Sequence, residues 1–208
     1  NPLVHTPLLT KLATEVHCHL RGLAMEEGTA RYVTAVSRSD SVSGWRDRRR
    51  EGGVLIDVKH ARVLTDKLSM PHSPRLHNNQ LYALNSGRGH LVRIDRQTGA
   101  AEDITFLPCF VLGLAFHNNH ALVTLSLPRD QSFAGLELDG ELQKRDADPW
   151  CGVQIIDLAT GNVVEWLRLD GEIRELFDIA VLPEVRCPLA VSPLAPEFAS
   201  TVTMADPD

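Results

Sequence analysis

Apolar residues fall along this chain in short runs separated by Gly, Asn and other polar residues, and two kinds of segment alternate. The first kind is an apolar stretch, a turn, and a β-rich stretch that ends in a small polar residue. It occurs as Gly22-Leu-Ala-Met, EEGTA, then Arg31-Tyr-Val-Thr-Ala-Val-Ser37, and as Pro74-Arg-Leu, HNNQ, then Leu81-Tyr-Ala-Leu-Asn-Ser86. A third copy is Gly113-Leu-Ala-Phe, HNNH, then Ala121-Leu-Val-Thr-Leu-Ser126, and a weaker fourth runs through Asp178-Ile-Ala-Val and Pro188-Leu-Ala-Val-Ser192. Two apolar runs around a Gly- or Asn-containing turn predict a β-hairpin. The second kind opens on Gly, alternates to an Asp, turns, and enters another strand: Gly53–Asp57, Gly89–Asp95 and Gly152–Asp157. In the last two copies the turn is D-x-x-T-G. There Asp and Thr accept from backbone N–H groups and Gly supplies the positive φ. The first copy lacks Thr-Gly, so a looser turn is expected.

Two hairpins in fixed succession predict a four-stranded antiparallel unit, with strands a to d. The units span 19–68, 69–107 and 110–170, and a partial unit spans 171–192. A unit of about 40 residues that repeats in this way fits a β-propeller blade. An antiparallel sandwich also has short strands and frequent turns, but it does not require the two hairpin types to alternate. The fold expected is therefore all-β and β-propeller-like, with about three and a half blades of a partial propeller. Residues 1–15 are expected to form the outer strand of a preceding blade, and 193–208 a tail. So short an arc would leave sheet faces and edges uncovered. The remaining blades would come from a missing N-terminal segment or from association.

Composition narrows the classes of function. With 208 residues, 43% hydrophobic, and a net charge of −6, the chain lacks the basic balance of a nucleic-acid or membrane-surface binder. The basic run Arg46–Arg50 is short and interrupted by Asp47, and reads as a solvated loop. Cys18, Cys109, Cys151 and Cys187 are too scattered for a zinc knuckle or a redox pair, so buried reduced thiols are expected. That favours a cytoplasmic setting over a secreted one. No apolar run approaches the length of a membrane span.

The runs SMPHSPRLHNNQLYALNSGRG (Ser69–Gly89), LGLAFHNNHALVTLSLPR (Leu112–Arg129) and CGVQIIDLATG (Cys151–Gly161) resemble an uncharacterised bacterial family of conserved hypothetical proteins, a domain of unknown function. The resemblance covers about residues 15–192 and implies a propeller-like fold of which this chain is the C-terminal part. One departure stands out. Where that family shows H-L-N-G-L-A, this chain has His19-Leu-Arg21-Gly-Leu-Ala.

Up-and-down blade order puts the b-to-c and d-to-a connections on one face. Both long insertions fall at b-to-c, 38–52 and 127–150, while the second unit has only Gly87-Arg88 there. Insertions gathered on one face mark a binding face. The d-to-a connections add His19, Arg21, His72, Ser73, Arg75 and Glu175 to that rim, and the insertions add Trp45, Arg129 and Trp150. Arginine can fork a carboxylate or phosphate, and tryptophan can stack on a ligand or anchor a loop. His19 and His72 can ligate a divalent metal or set blade spacing through hydrogen bonds. No other cofactor is implied. No nucleophile elbow, Walker loop, dinucleotide fingerprint or HExxH helix is present. These features favour a binding or scaffold module for a small molecule or protein partner. The alternative is a propeller lyase or hydrolase with a histidine-lined channel site.

Overall fold

The computed structural model describes residues 18–39, 43–129, 133, 135–186, 188, 191–192 and 194–196. The strand expected at 1–15 and nearly all of the expected tail lie outside the described residues. Twelve strands form three four-stranded antiparallel sheets, each in sequential order. The first holds β1 (Leu20–Glu26), β2 (Thr29–Ala35), β3 (Gly53–Asp57) and β4 (Arg62–Leu68). The second holds β5 (Pro71–His77), β6 (Gln80–Asn85), β7 (His90–Ile94) and β8 (Ala101–Phe106). The third holds β9 (Phe110–His117), β10 (His120–Ser126), β11 (Gly152–Asp157) and β12 (Val163–Arg168). These are propeller-like blades, and their sheets do not close into a ring.

The second sheet explains why its central strand is apolar almost throughout. Side chains alternate between the two faces of a strand. Leu81 and Ala83 of β6 pack into a core shared with Tyr32 and Leu55 of the first sheet. Tyr82 and Leu84 pack oppositely, with Leu114 and Val123 of the third. The terminal sheets bury less. Leu20, Leu23 and Met25 on β1 are exposed, and so is every residue of β12.

The c-to-d turns repeat one geometry. Asp95 Oδ1 accepts from the backbone N–H groups of Gln97 and Thr98, at 2.9 and 2.6 Å, and Gly99 follows at φ +77°. Asp157 accepts from the Ala159 N–H and the Thr160 hydroxyl, and Gly161 sits at φ +73°. The first copy closes a shorter turn with different bonds: the Ala61 N–H donates to the Val58 carbonyl at 3.2 Å, where Gly99 and Gly161 donate to the carbonyls of Asp95 and Asp157. The His60 N–H donates to Asp57 Oδ1 at 3.2 Å, and Ala61 takes the left-handed position at φ +48°. The turn expected to be looser is thus shorter and closed by its own set of bonds.

The innermost strands β1, β5 and β9 are sheet edges, which is why β5 accommodates Pro71 and Pro74 without losing a ladder bond. Adjacent inner strands run very close. A Cβ on Gly22 would lie 2.5 Å from Pro74 Cδ, and one on Gly113 would lie 2.7 Å from Asp178 Cα. Residues 174–179 thus take the place of a following inner strand beside β9. The Leu127 N–H donates to the Arg174 carbonyl at 2.8 Å, and the Leu176 N–H to Ser126 Oγ at 3.1 Å. Within the expected partial unit the described residues form no strand hairpin.

Both b-to-c insertions fold onto the same rim. The first carries a single 3-10 turn at Arg46–Arg48. The second, expected as loop, contains helix α1 (Glu137–Lys144), whose Leu138 and Leu142 are one turn apart and buried. Together with Phe133 and Leu136 they pack on Val36 and Met70, with Trp45 of the first insertion and Phe110 at the margin. The helix covers the short connection of the second unit: the Leu138 N–H donates to the Gly87 carbonyl at 3.1 Å, and Arg88 pairs with Glu137 at 2.7 Å. Among the described residues no helix is long and apolar enough to cross a membrane.

Candidate functional site

β1 and β5 enter their sheets side by side from this rim, and the close approach of Gly22 to Ser73 and Pro74 sets their spacing. Arg21 precedes Gly22 and His72 precedes Ser73, so the same approach brings Arg21 beside His72. Strand entry is irregular at both places. His19, Met70 and Ser73 have φ of +54°, +45° and +44°, and β5 carries a register shift between His72 and Arg75. Such bulges re-aim side chains near sheet edges.

His72 is 2% exposed. Its Nδ1 lies 2.8 Å from the Met70 carbonyl and 2.9 Å from Ser86 Oγ, and Ser86 spends its own proton on the Val111 carbonyl at 2.6 Å. Both partners of Nδ1 therefore accept, so Nδ1 carries the proton. Burial, the nearby Arg21 charge and His19 push the imidazole down to about 3, which makes the ring neutral at physiological pH. Nε2 is then a bare lone pair, buried and without a hydrogen-bond partner among the described residues. Phe110 stands edge-on to the ring at 5.5 Å.

Arg21 is half-buried, and its Nε also has no hydrogen-bond partner among the described residues. Its pKa is lowered by burial and by the charge of Arg129, against the opposing pull of Glu175. Arg129 and Glu175 form a two-bond fork, with Nε to Oε2 at 3.0 Å and Nη2 to Oε1 at 2.7 Å. The His19 ring lies against Trp45, tilted by 38° with ring centroids 4.5 Å apart, and the Arg46 guanidinium lies 4.8 Å from the Trp45 ring. Burial and the charges of Arg21 and Arg46 lower the His19 pKa, favouring its neutral form.

The structure thus gathers His19, Arg21, Trp45, His72, Arg129 and Glu175 at one rim, and sets three other candidates apart. The Ser73 hydroxyl donates to the Leu112 carbonyl and so ties β5 to β9. Arg75 lies farther along β5. It donates to the Pro74 carbonyl at 3.0 Å and faces Asp178 at 3.6 Å. Trp150 is held through its backbone by the buried Cys109 thiol, at 2.9 and 3.1 Å, and packs against the core between the second and third sheets. Burial raises the pKa of that thiol to about 12, so it is an uncharged anchor.

No group of three or more His, Cys, Asp or Glu is arranged to hold a metal ion among the described residues. Sequence reasoning passed over Met70, Ser86 and Phe110, which position His72. A signal for Ser86 was present, because Ser37, Ser86 and Ser126 lie at or just beyond the ends of the b strands of the three units. All three are buried, and Ser86 and Ser126 bond the chain that follows as the next inner strand.

A second ionic cluster lies at the opposite end of the blades, among the a-to-b and c-to-d turns. Fully buried Asp57 pairs with Arg31 and with His60 Nδ1 at 2.7 Å, while Glu26 pairs with Arg31 and Arg96. Arg96 also donates to the Tyr32 hydroxyl at 3.0 Å. Arg31 and Arg96 thus spend their donors within the protein, and this cluster ties the first sheet to the second.

A family model for a domain of unknown function, DUF4915, matches residues 1–191. A search of curated proteins returns no match. Among solved structures, the computationally designed Ika4 protein is 12% identical, with a TM-score of 0.46 over 86% of this chain and 88% of that one. The dihydro-heme d1 dehydrogenase NirN, in complex with DHE, is 17% identical with a TM-score of 0.43, and this chain spans 28% of its length. A protein of unknown function from Bacteroides caccae is 13% identical, with a TM-score of 0.41 over 76% of this chain and 69% of that one.

Proposed function

We propose, from the premise that this chain belongs to the DUF4915 family of domains of unknown function, that it is a binding module whose ligand docks where β1 and β5 begin. One observation carries the reading: the insertions and the d-to-a connections bring the half-buried Arg21 guanidinium, His19, Trp45 and the Arg129–Glu175 fork together on one rim. The two insertions support the reading by walling the rim with Trp45 and α1.

The same geometry favours binding over acid–base catalysis. A general base works best with a pKa near the working pH. An imidazole depressed to about 3 is a good acceptor and a weak base. The test is a thermal-shift and calorimetric screen of carboxylates, polyols, amines and short peptides against the wild-type chain and Arg21→Met. Binders that lose at least tenfold affinity in Arg21→Met are expected. Retention of every binder at full affinity by the variant would exclude the rim.

A further inference from the structure

At the end of the blades away from the rim, the turns of the first two sheets enclose an open cleft of about 440 Å³. Its lining is polar or charged throughout: Arg31, Arg62 and Arg96, then His60, Asn79 and Gln97, with the buried Tyr32 ring under the Arg31 and Arg96 guanidinia. Such a lining selects a hydrophilic ligand, and the sign of that ligand follows from what each group has left to give.

Two of the arginines are committed. Arg31 pairs with Asp57 and, through Nε, with Glu26 at 2.8 Å. Arg96 pairs with Glu26, donates to the Tyr32 hydroxyl at 3.0 Å, and donates to Asn79 Oδ1. Arg62 is held only loosely. Its Nε lies 3.7 Å from Asp57 Oδ2, beyond hydrogen-bond distance, and its Nη2 makes two long contacts of 3.3 Å with the Arg96 and Gln97 carbonyls. Its Nη1 makes no hydrogen bond among the described residues, and the side chain is 46% exposed. His60 Nδ1 closes on the same Asp57 oxygen at 2.7 Å, so the half-exposed His60 and Arg62 side chains stand next to each other. Arg96 offers only donors, so Oδ1 is the Asn79 atom that meets it, and the two N–H groups of Nδ2 are left over.

The charges nearly balance. Arg31, Arg62 and Arg96 stand against Asp57 and Glu26, while Asp95 in the neighbouring turn accepts from the Gln97 and Thr98 N–H groups and the Thr98 hydroxyl. Lys59 and Glu27, the exposed sequence neighbours of His60 and Glu26, are of opposite sign. The surplus is therefore one of donors more than of net charge: a guanidinium edge and a carboxamide. A carboxylate presents two coplanar acceptors to that edge and brings a single negative charge. A phosphate dianion brings more charge than the one loosely held guanidinium offsets.

We infer that this cleft is a second binding site, independent of the rim, for a small hydrophilic carboxylate. The carboxylate lies on the exposed edge of Arg62, and the polar remainder runs along the Asn79 and Gln97 side chains of the same cleft.

The test is an NMR titration of the uniformly 15N-labelled chain at constant ionic strength with gluconate, sorbitol, in which a hydroxymethyl group replaces the carboxylate, and inorganic phosphate. Gluconate is expected to move the backbone amide signals of Arg62 and Gln97 and the Asn79 side-chain amide signal saturably. It should bind about fivefold or more tighter than either other probe, and lose that binding in Arg62→Met. Asn79→Asp supplies the second arm. It keeps an acceptor for Arg96, tolerates the left-handed φ of +61° and puts a negative charge in the cleft, so it is expected to abolish gluconate binding as well. Signals unmoved by gluconate, moved equally by sorbitol, or indifferent to both substitutions overturn the inference. Tighter binding of phosphate than of gluconate overturns it too. Arg21→Met is expected to leave the titration unchanged. Loss of gluconate in Arg21→Met with retention in Arg62→Met moves the carboxylate to the rim and removes this site, whereas failure of the rim screen leaves it standing.

Discussion

At the scale of single residues, burial and neighbouring charge make His72 a pH-sensitive element of stability. Its folded pKa of about 3 lies below the ordinary 6.5. Between those values the unfolded chain binds a proton at this position that the folded chain does not. Stability therefore falls as pH drops from about 6.5 toward 3, by at most about 1.4 kcal/mol per pH unit from this one group. Urea denaturation at pH 7, 6, 5 and 4 is expected to show a steeper decline for wild type than for His72→Asn, and parallel curves would contradict the assignment. A second residue is strained without evident need. Ala61 occupies φ +48° where the sister turns have Gly99 and Gly161. Ala61→Gly is expected to raise stability by up to about 1 kcal/mol in the same assay, since a left-handed conformation penalises Cβ more than glycine's extra unfolded-state entropy does. The Asp that begins this turn was legible in the sequence. That the chain closes there in a shorter turn through His60 and Ala61 was not, because the missing Thr-Gly says only which turn is absent.

At the scale of elements, the two insertions form a layer of their own. Leu138 of α1 is fully buried among Met70, Phe133 and Val36 although it belongs to a loop between strands. Leu138→Ala is expected to cost about 2–5 kcal/mol, as in a blade core. Chemical denaturation measures this, and a loss under 1 kcal/mol would mean the insertion packs loosely. The position of the insertions followed from the alternation of hairpins, because strand order dictates which connections share an end of the sheet. The helix within the second did not. Its period shows only in Leu138 and Leu142, one turn apart, and a helix so short draws most of its stability from the surface it covers.

At the scale of the whole molecule, each sheet is stabilised through its neighbours, as in other repeat architectures. The second sheet is covered on both faces, the first buries Val54 and Ile56 in a further cluster on the face opposite Leu55, and the outer strand of the third is exposed throughout. Substitution costs should follow burial. Leu114→Ala, in the core between the second and third sheets, is expected to cost about 2–5 kcal/mol. Leu23→Thr, on the 45% exposed outer face of β1, is expected to change stability by less than about 0.5 kcal/mol. Equal losses at the two positions in urea titrations would show that the β1 face is covered in solution.

Alternation of apolar and polar residues, turn chemistry and repeat spacing were enough to determine the strands, their antiparallel order and the face that bears the insertions. Those properties are local, set by side-chain direction along a strand and by what each turn demands of φ. The site depended on contacts distant in sequence. Arg21 meets His72 only because Gly22 lets β5 approach β1, and His72 has its unused lone pair only because Met70 and Ser86 accept the proton of its other nitrogen. Histidine at that position in the sequence was equally compatible with a metal ligand, a base or a spacer. Which nitrogen is protonated is decided by acceptors contributed from elsewhere in the fold, and only the tertiary structure brings them together.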